Sequence, residues 1–219
     1  MGKARRRPHN GTLIRATYPG EIWHTDIMEG GLVAVDGTKY AVIFTDEASK
    51  QPITICLKKK SEFGEIMTEF LSRLHTLPEL MVLDSGGENV SKQFLQVCYR
   101  FCIQPRYTTK EQHEENLAER SIQTLRDSMI TMLASAAMSP IYWPFALLYA
   151  TYINQFIPGE NGKCPYLYWH DELPSELSLP LFGSPMVYRH EHPHKQKQLD
   201  LPGHFAEVRL ALFSYLLKV

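Results

Sequence analysis

A mixed five-stranded sheet with helices against it, an α/β (α+β) fold, is what this sequence predicts. Two observations carry that expectation. Strand-type and helix-type segments follow one another as β-β-β-α-β-α-β-α-α, and a three-strand meander followed by strand–helix alternation builds a sheet of mixed direction. The 219 residues, 44% hydrophobic and 21% charged, also supply enough apolar side chain for one substantial core.

The elements are read in chain order. Residues 1–20 hold a basic run, Lys3 to Arg7, and the Pro19-Gly20 turn signal, so they form an extended lead-in. Glu21–Met28, Lys39–Thr45 and Pro52–Lys58 are β-rich runs, separated by Gly30-Gly31, Asp36-Gly37 and Asp46–Gln51. Ser61–Leu77 carries Phe63, Ile66, Met67, Phe70, Leu71 and Leu74 at three- and four-residue spacing, which predicts a helix ended by Pro78. Leu80–Leu83 is a short buried strand stopped by Asp84-Ser85-Gly86-Gly87. Ser91 is the expected N-cap of a second helix, and Arg106–Thr108 another short strand. Asn116 opens a long helix with Ala118, Ile122, Leu125, Met129, Met132, Leu133 and Ala136 on one stripe. Ser139-Pro140 breaks it, and a further helix runs from about Tyr142 to Phe156. Beyond Pro158 the chain is Pro-rich with little periodicity until Phe205–Val219.

Several classes of protein are set aside by composition. No apolar run approaches the roughly 18–20 residues that a membrane span needs. The basic N-terminus has no apolar segment behind it, so no secretory signal is expected, and the location is nuclear or cytoplasmic. Four cysteines in a chain this long do not make a disulfide framework. Cys98 and Cys102 stand one helical turn apart on an apolar stripe and read as buried core. His190, His192 and His194, around Pro193, read as a solvated loop rather than a metal trap. A net charge of −1 gives no overall basic signature for nucleic acid, and the basic clusters are short: Lys3 to Arg7, and Lys58, Lys59 and Lys60.

Three acids fall where chemistry would need them. Asp26 sits late on the first strand, Asp84 at the end of the fourth, and Glu119 in the first turn of the long helix. Ends of neighbouring strands lie side by side, and a helix crossing that edge adds a third carboxylate. Such a cluster repels itself unless a divalent cation compensates it. Mg²⁺ prefers hard oxygen ligands, and two ions about 3.5–4 Å apart serve phosphoryl transfer. Each acid alone has a plainer reading: a strand-end Asp, an Asp-led turn before Gly86, and a capping-box Glu three residues after Asn116.

The surrounding motifs add specificity. HTDI at His24–Ile27, KYAVIFTDEASK at Lys39–Lys50, LDSGGEN at Leu83–Asn89 and LAER at Leu117–Arg120 resemble successive blocks of copia-type retrotransposon integrases. So do YW at Tyr142-Trp143, CPYLYW at Cys164–Trp169 and LFGSPMVY at Leu181–Tyr188. The resemblance covers roughly residues 3–200, in the family's order, and points to the catalytic-core region of the polyprotein. It implies a ribonuclease H-like fold, Mg²⁺ or Mn²⁺ held by Asp26, Asp84 and Glu119, and strand transfer of element ends into target DNA. Lys58, Lys59, Lys60, Arg120 and Arg126 are then the expected nucleic-acid contacts, with self-association and no membrane partner.

This sequence also departs from that pattern. Residues 85–118, 34 in number, separate Asp84 from Glu119, one fewer than the resemblance implies. Lys110, Glu111 and Asn116 replace a Pro- and Gly-containing loop, and Ser121, Ile122 and Gln123 stand where basic or amide residues face DNA in the family. No zinc quartet can be assembled from the remaining ligands, so no zinc is expected. The organisation expected is a basic lead-in at 1–20 that follows a lost zinc-binding domain, a catalytic core at 21–158, and a truncated irregular extension at 159–219. The function expected is an integrase core by descent, inactive in this form. A non-catalytic nucleic-acid-binding remnant and a metal-dependent nuclease are the alternatives, and fold alone does not separate them.

Overall fold

A computed structural model of the chain describes residues 15–84, 88–108, 117–159, 162–175 and 179–184, with positions 84, 88, 89 and 108 placed by backbone alone. His190, His192, His194, the acidic loop before Leu117, the run Lys3 to Arg7 and the stretch 202–219 lie outside the described residues.

Five strands make one sheet: β1 (Ile22–Glu29), β2 (Tyr40–Asp46), β3 (Pro52–Leu57), β4 (Leu80–Asp84) and β5 (Gln104–Thr108). Their order across the sheet is β3-β2-β1-β4-β5, which makes β1 the centre. The β1–β2 and β2–β3 pairs are antiparallel, whereas β4 runs parallel to both β1 and β5. The sheet is therefore mixed, as expected from a meander followed by crossovers.

Alternation along β1 decides what each face carries. Trp23 and, beside it, Phe44, Met81 and Leu83 join one core with Phe63, Met67, Phe70 and Phe94 of α1 (Phe63–Arg73) and α2 (Glu88–Arg100). The Trp23 ring meets Phe70 edge-on at 5.1 Å, and Phe44 stacks on Phe70 at 4.0 Å. Met28, Ala41 and Ile43 turn the other way, into a second core with α3 (Leu117–Ser135) and α4 (Trp143–Asn154). Helix α4 is apolar nearly all round, which suits a helix buried on most sides. Its Trp143 lies so close to Gly30 that a Cβ there would meet the indole at 2.3 Å, and the indole N–H donates to the Leu32 carbonyl at 3.2 Å. Only glycine fits at position 30.

Some boundaries differ from the sequence reading. Helix α1 ends at Arg73, and Leu74 is already extended, so the helix does not run on to Leu77. The Thr76, Leu77, Pro78 sequence resists helix there, through a β-branched residue and a pre-proline position. Helix α2 begins at Glu88, so Ser91 lies inside it and is not its cap. Cys98 is buried, and burial pushes its thiol up to about 12. Cys102 is instead exposed, because the helix has ended and Cys102 takes a left-handed φ of 57°. A short helix, α5 (Pro165–His170), interrupts the stretch read as irregular, and its Trp169 reaches back to Trp23 at 5.3 Å.

Candidate active site

Backbone register brings the first two acids together. Thr25 of β1 lies beside Leu83 of β4 in a parallel pair, so Asp26 and Asp84, the next residue on each strand, stand at the same level. Neighbouring strands put such positions about 5 Å apart. Asp26 is half-buried, and its carboxylate accepts the Ile27 N–H at 2.7 Å. By alternation Asp26 shares the face of His24 and Met28, the face covered by α3.

Helix α3 carries the third acid to that face. Its first backbone N–H, of Leu117, points to His24 Nδ1 at 3.4 Å. One turn later the Thr45 hydroxyl donates to the Ser121 hydroxyl at 2.9 Å. Glu119 lies between these two attachments in sequence, in the first turn of a helix that packs on the sheet face of Asp26. Among the described residues no three His, Cys, Asp or Glu side chains gather into a metal-holding group, and the Asp84 side chain is not among those described. The donor chemistry itself fits: carboxylate oxygens are the hard ligands that Mg²⁺ and Mn²⁺ take.

The expected nucleic-acid contacts fall in two places. Arg120 is exposed one residue after Glu119. Arg126, also exposed, donates to the Glu29 carbonyl at 3.3 Å and so borders the β1 end. Lys58, Lys59 and Lys60 are exposed at the far end of β3, with Lys60 5.1 Å above the Tyr40 ring. That cluster begins four residues along and two strands across from Asp26, about 13 Å along the strands and about 10 Å across them by strand geometry. The inert positions after Arg120 are explained in part by α3 itself. Ser121 is tied to Thr45 and Ile122 packs on the α3/α4 core, so neither is a solvent-facing position, whereas Gln123 is.

Sequence reasoning missed a buried pair beneath this site. His24, 1% exposed, shares its Nε2 with the Glu47 carboxylate, 4% exposed, at 3.0 Å. Exposed Arg15 reaches the other Glu47 oxygen at 3.4 Å, and Lys50 Nζ donates to the Glu47 carbonyl at 2.6 Å. Both partners sit in quoted motifs, HTDI and TDEASK, but their pairing needs the β1–β2 register to be visible.

Burial works against the Glu47 carboxylate, yet the hydrogen bond from His24, the charge His24 carries when protonated, and Arg15 outweigh it, leaving the carboxyl below its ordinary value of 4.5. A carboxyl depressed in the folded state contributes stability above its ordinary value, and that stability is lost as pH falls through the folded one. Glu47→Gln is therefore expected to lower stability at neutral pH and to flatten the acid limb, so that the two proteins converge below pH 4.5. Thermal melts of both proteins across that range check it, and parallel acid limbs would contradict it.

Known proteins share the fold and parts of the sequence. Residues 16–113 match the family model described as integrase core domain. The chain is 26% identical over 208 residues to the retrovirus-related Pol polyprotein from transposon RE1 of Arabidopsis thaliana, covering 91% of this chain and 14% of that protein. It is 27% identical over 174 residues to the Pol polyprotein from transposon TNT 1-94 of Nicotiana tabacum, covering 76% and 13%. The chain thus spans only about one seventh of the length of the curated relatives it matches. Among solved structures, a chain of the simian T-cell lymphotropic virus intasome in complex with a PP2A regulatory subunit superposes with a TM-score of 0.62 at 17% identity, covering 86% of this chain and 66% of that one. The HTLV-2 integrase catalytic core domain, solved in complex with magnesium, gives a TM-score of 0.55 at 19% identity and covers 71% of this chain and all of its own. These likenesses establish the fold as ribonuclease H-like. Residues 16–113 match the integrase core domain, and over most of its length the chain is similar to the Pol polyproteins of copia-type retrotransposons.

Proposed function

We propose that the chain is the catalytic core of a retrotransposon integrase, in which Asp26, Asp84 and Glu119 hold Mg²⁺ or Mn²⁺ against DNA. One observation carries the reading: two acids at the same level on neighbouring parallel strands, with the first turn of α3 tied to the same face beside them. The match to the integrase core domain supports it, as does the magnesium in the structure of the HTLV-2 core. Bound cations would activate the attacking oxygen and stabilise the leaving one.

The chain's own residues position and attract. Asp26, in the middle of β1, and Asp84, the last residue of β4, are proposed to supply the first two carboxylates from strands flanked by sheet on either side. Glu119 approaches from a helix anchored at Leu117 and Ser121. Arg120 and Arg126 beside the acids, and Lys58, Lys59 and Lys60 farther along, are proposed to hold the phosphates of element-end and target DNA. Self-association fits the dimeric and trimeric forms in which the HTLV-2 core was solved. The core is proposed to span residues 21–158, and strand transfer is proposed to be lost in this chain.

Calorimetry with Mn²⁺ on the full chain tests the reading. Asp84→Asn removes a charged ligand and is expected to weaken binding by about tenfold or more, since ligand charge tunes divalent affinity. Unchanged affinity removes Asp84 from the site.

A further inference from the structure

We propose that His24 is a positioning residue for Glu119, holding the first turn of α3 through its Nδ1 while buried Glu47 fixes the ring; this rests on the metal-site reading above. His24 on β1 and Glu47, in the turn that follows β2, lie 23 residues apart in sequence and meet at 3.0 Å with both side chains nearly inaccessible. The first N–H groups of a helix have no partner within it and are ordinarily met by a side chain just upstream. For Leu117 the partner is a ring 93 residues away on the central strand, two positions before Asp26.

The hydrogen-bond roles are settled by the two partners. Leu117 N–H can only donate, so His24 Nδ1 accepts; the ring proton is then on Nε2, where the Glu47 carboxylate accepts it. Glu47 is itself fixed by its backbone, which donates to the Ile22 carbonyl at 2.9 Å and accepts from Lys50. The line Glu47, His24, Leu117 thus runs from the sheet edge to the α3 terminus, and the Thr45–Ser121 bond secures the next turn. A buried polar pair is a poor way merely to fill space, because apolar side chains of similar volume cost less to bury. Neighbouring positions on the same face, Ile43 and Met28, are apolar. What an apolar residue at position 24 could not do is bind the Leu117 N–H. Metal affinity responds to such support: losing a partner that orients a ligand typically costs about 10–100-fold.

Two variants separate this role from a filling one, both made in a Glu47→Gln background so that no carboxylate is left bare. His24→Asn places its oxygen where Nδ1 stood and keeps the Leu117 bond. His24→Gln reaches position 47 but offers Leu117 nothing. Leu117 amide exchange is expected to stay near that of the Glu47→Gln background in His24→Asn and to quicken about tenfold in His24→Gln, the worth of one hydrogen bond. Mn²⁺ affinity follows the same ranking, falling about tenfold in His24→Gln only. A filling role predicts the reverse ranking in thermal stability and equal Mn²⁺ affinity. Equal Leu117 exchange and equal affinity in the two variants overturn the proposal. Glu119→Gln is run alongside. If it leaves Mn²⁺ binding unchanged, the metal-site reading has failed, and Leu117 exchange alone then decides whether His24 holds α3.

Discussion

Trp143→Ala is expected to lower the stability of the fold by about 3–5 kcal/mol, the cost of emptying a fully buried aromatic site. Trp143 is 2% exposed and opens α4, where it meets the bare backbone of Gly30 at the end of β1. Its indole N–H also satisfies the Leu32 carbonyl in the β1–β2 loop. Truncation therefore leaves a cavity between α4 and the hairpin and strips the loop of its donor. The neighbours cannot close in readily, because Ile43, Ala146 and Leu147 are themselves packed without exposure. Denaturant unfolding of the variant checks the figure. A loss under about 1 kcal/mol would mean that the α3/α4 layer adds little to cooperative folding.

Strand transfer on element-end DNA is expected to be undetectable for this chain. Catalysis of this kind is largely positioning together with electrostatics, and a misplacement near 1 Å can cost on the order of 10²-fold. The sequence between Asp84 and Glu119 is one residue shorter than the resemblance implies and carries Glu111, Glu114 and Glu115, which repel phosphates at modest salt. Past Arg120, α3 turns Ser121 and Ile122 inward and offers solvent Gln123 and Thr124, with the next exposed cation at Arg126. The assay is end-joining of labelled duplex ends with Mn²⁺, with Glu119→Gln as the blank. Joined product that disappears in Glu119→Gln contradicts the expectation.

Strands were legible because alternation survives in them: IWHTDIME sends Trp23 one way and Met28 the other, and the structure follows within a residue or two. Helices were legible in type but not in extent. The stripe to Leu74 in α1 reads as helical even though the backbone turns extended at that residue. Helix α5 was missed because six residues are too few to show a period. At the site, motifs pointed to Asp26, Asp84 and Glu119, and register then set the first two side by side. His24 and Glu47 were visible only as motif letters, because what joins them is a tertiary contact. The facing of Ser121 and Ile122 was hidden for a related reason: helix phase against the sheet is fixed by the Leu117 and Thr45 contacts, and no local pattern encodes those.

The central claim, that Asp26, Asp84 and Glu119 share one divalent-metal site, is tested most directly by a crystal structure of the chain grown with Mn²⁺. Anomalous scattering locates the ion independently of the protein coordinates. The account predicts a peak bridging the Asp26 and Asp84 carboxylates, with Glu119 on the same side of the sheet and all three carboxylates within about 10 Å, as ions about 3.5–4 Å apart require. A peak elsewhere, or Glu119 directed away from Asp26 while the ion sits on other ligands, would contradict it.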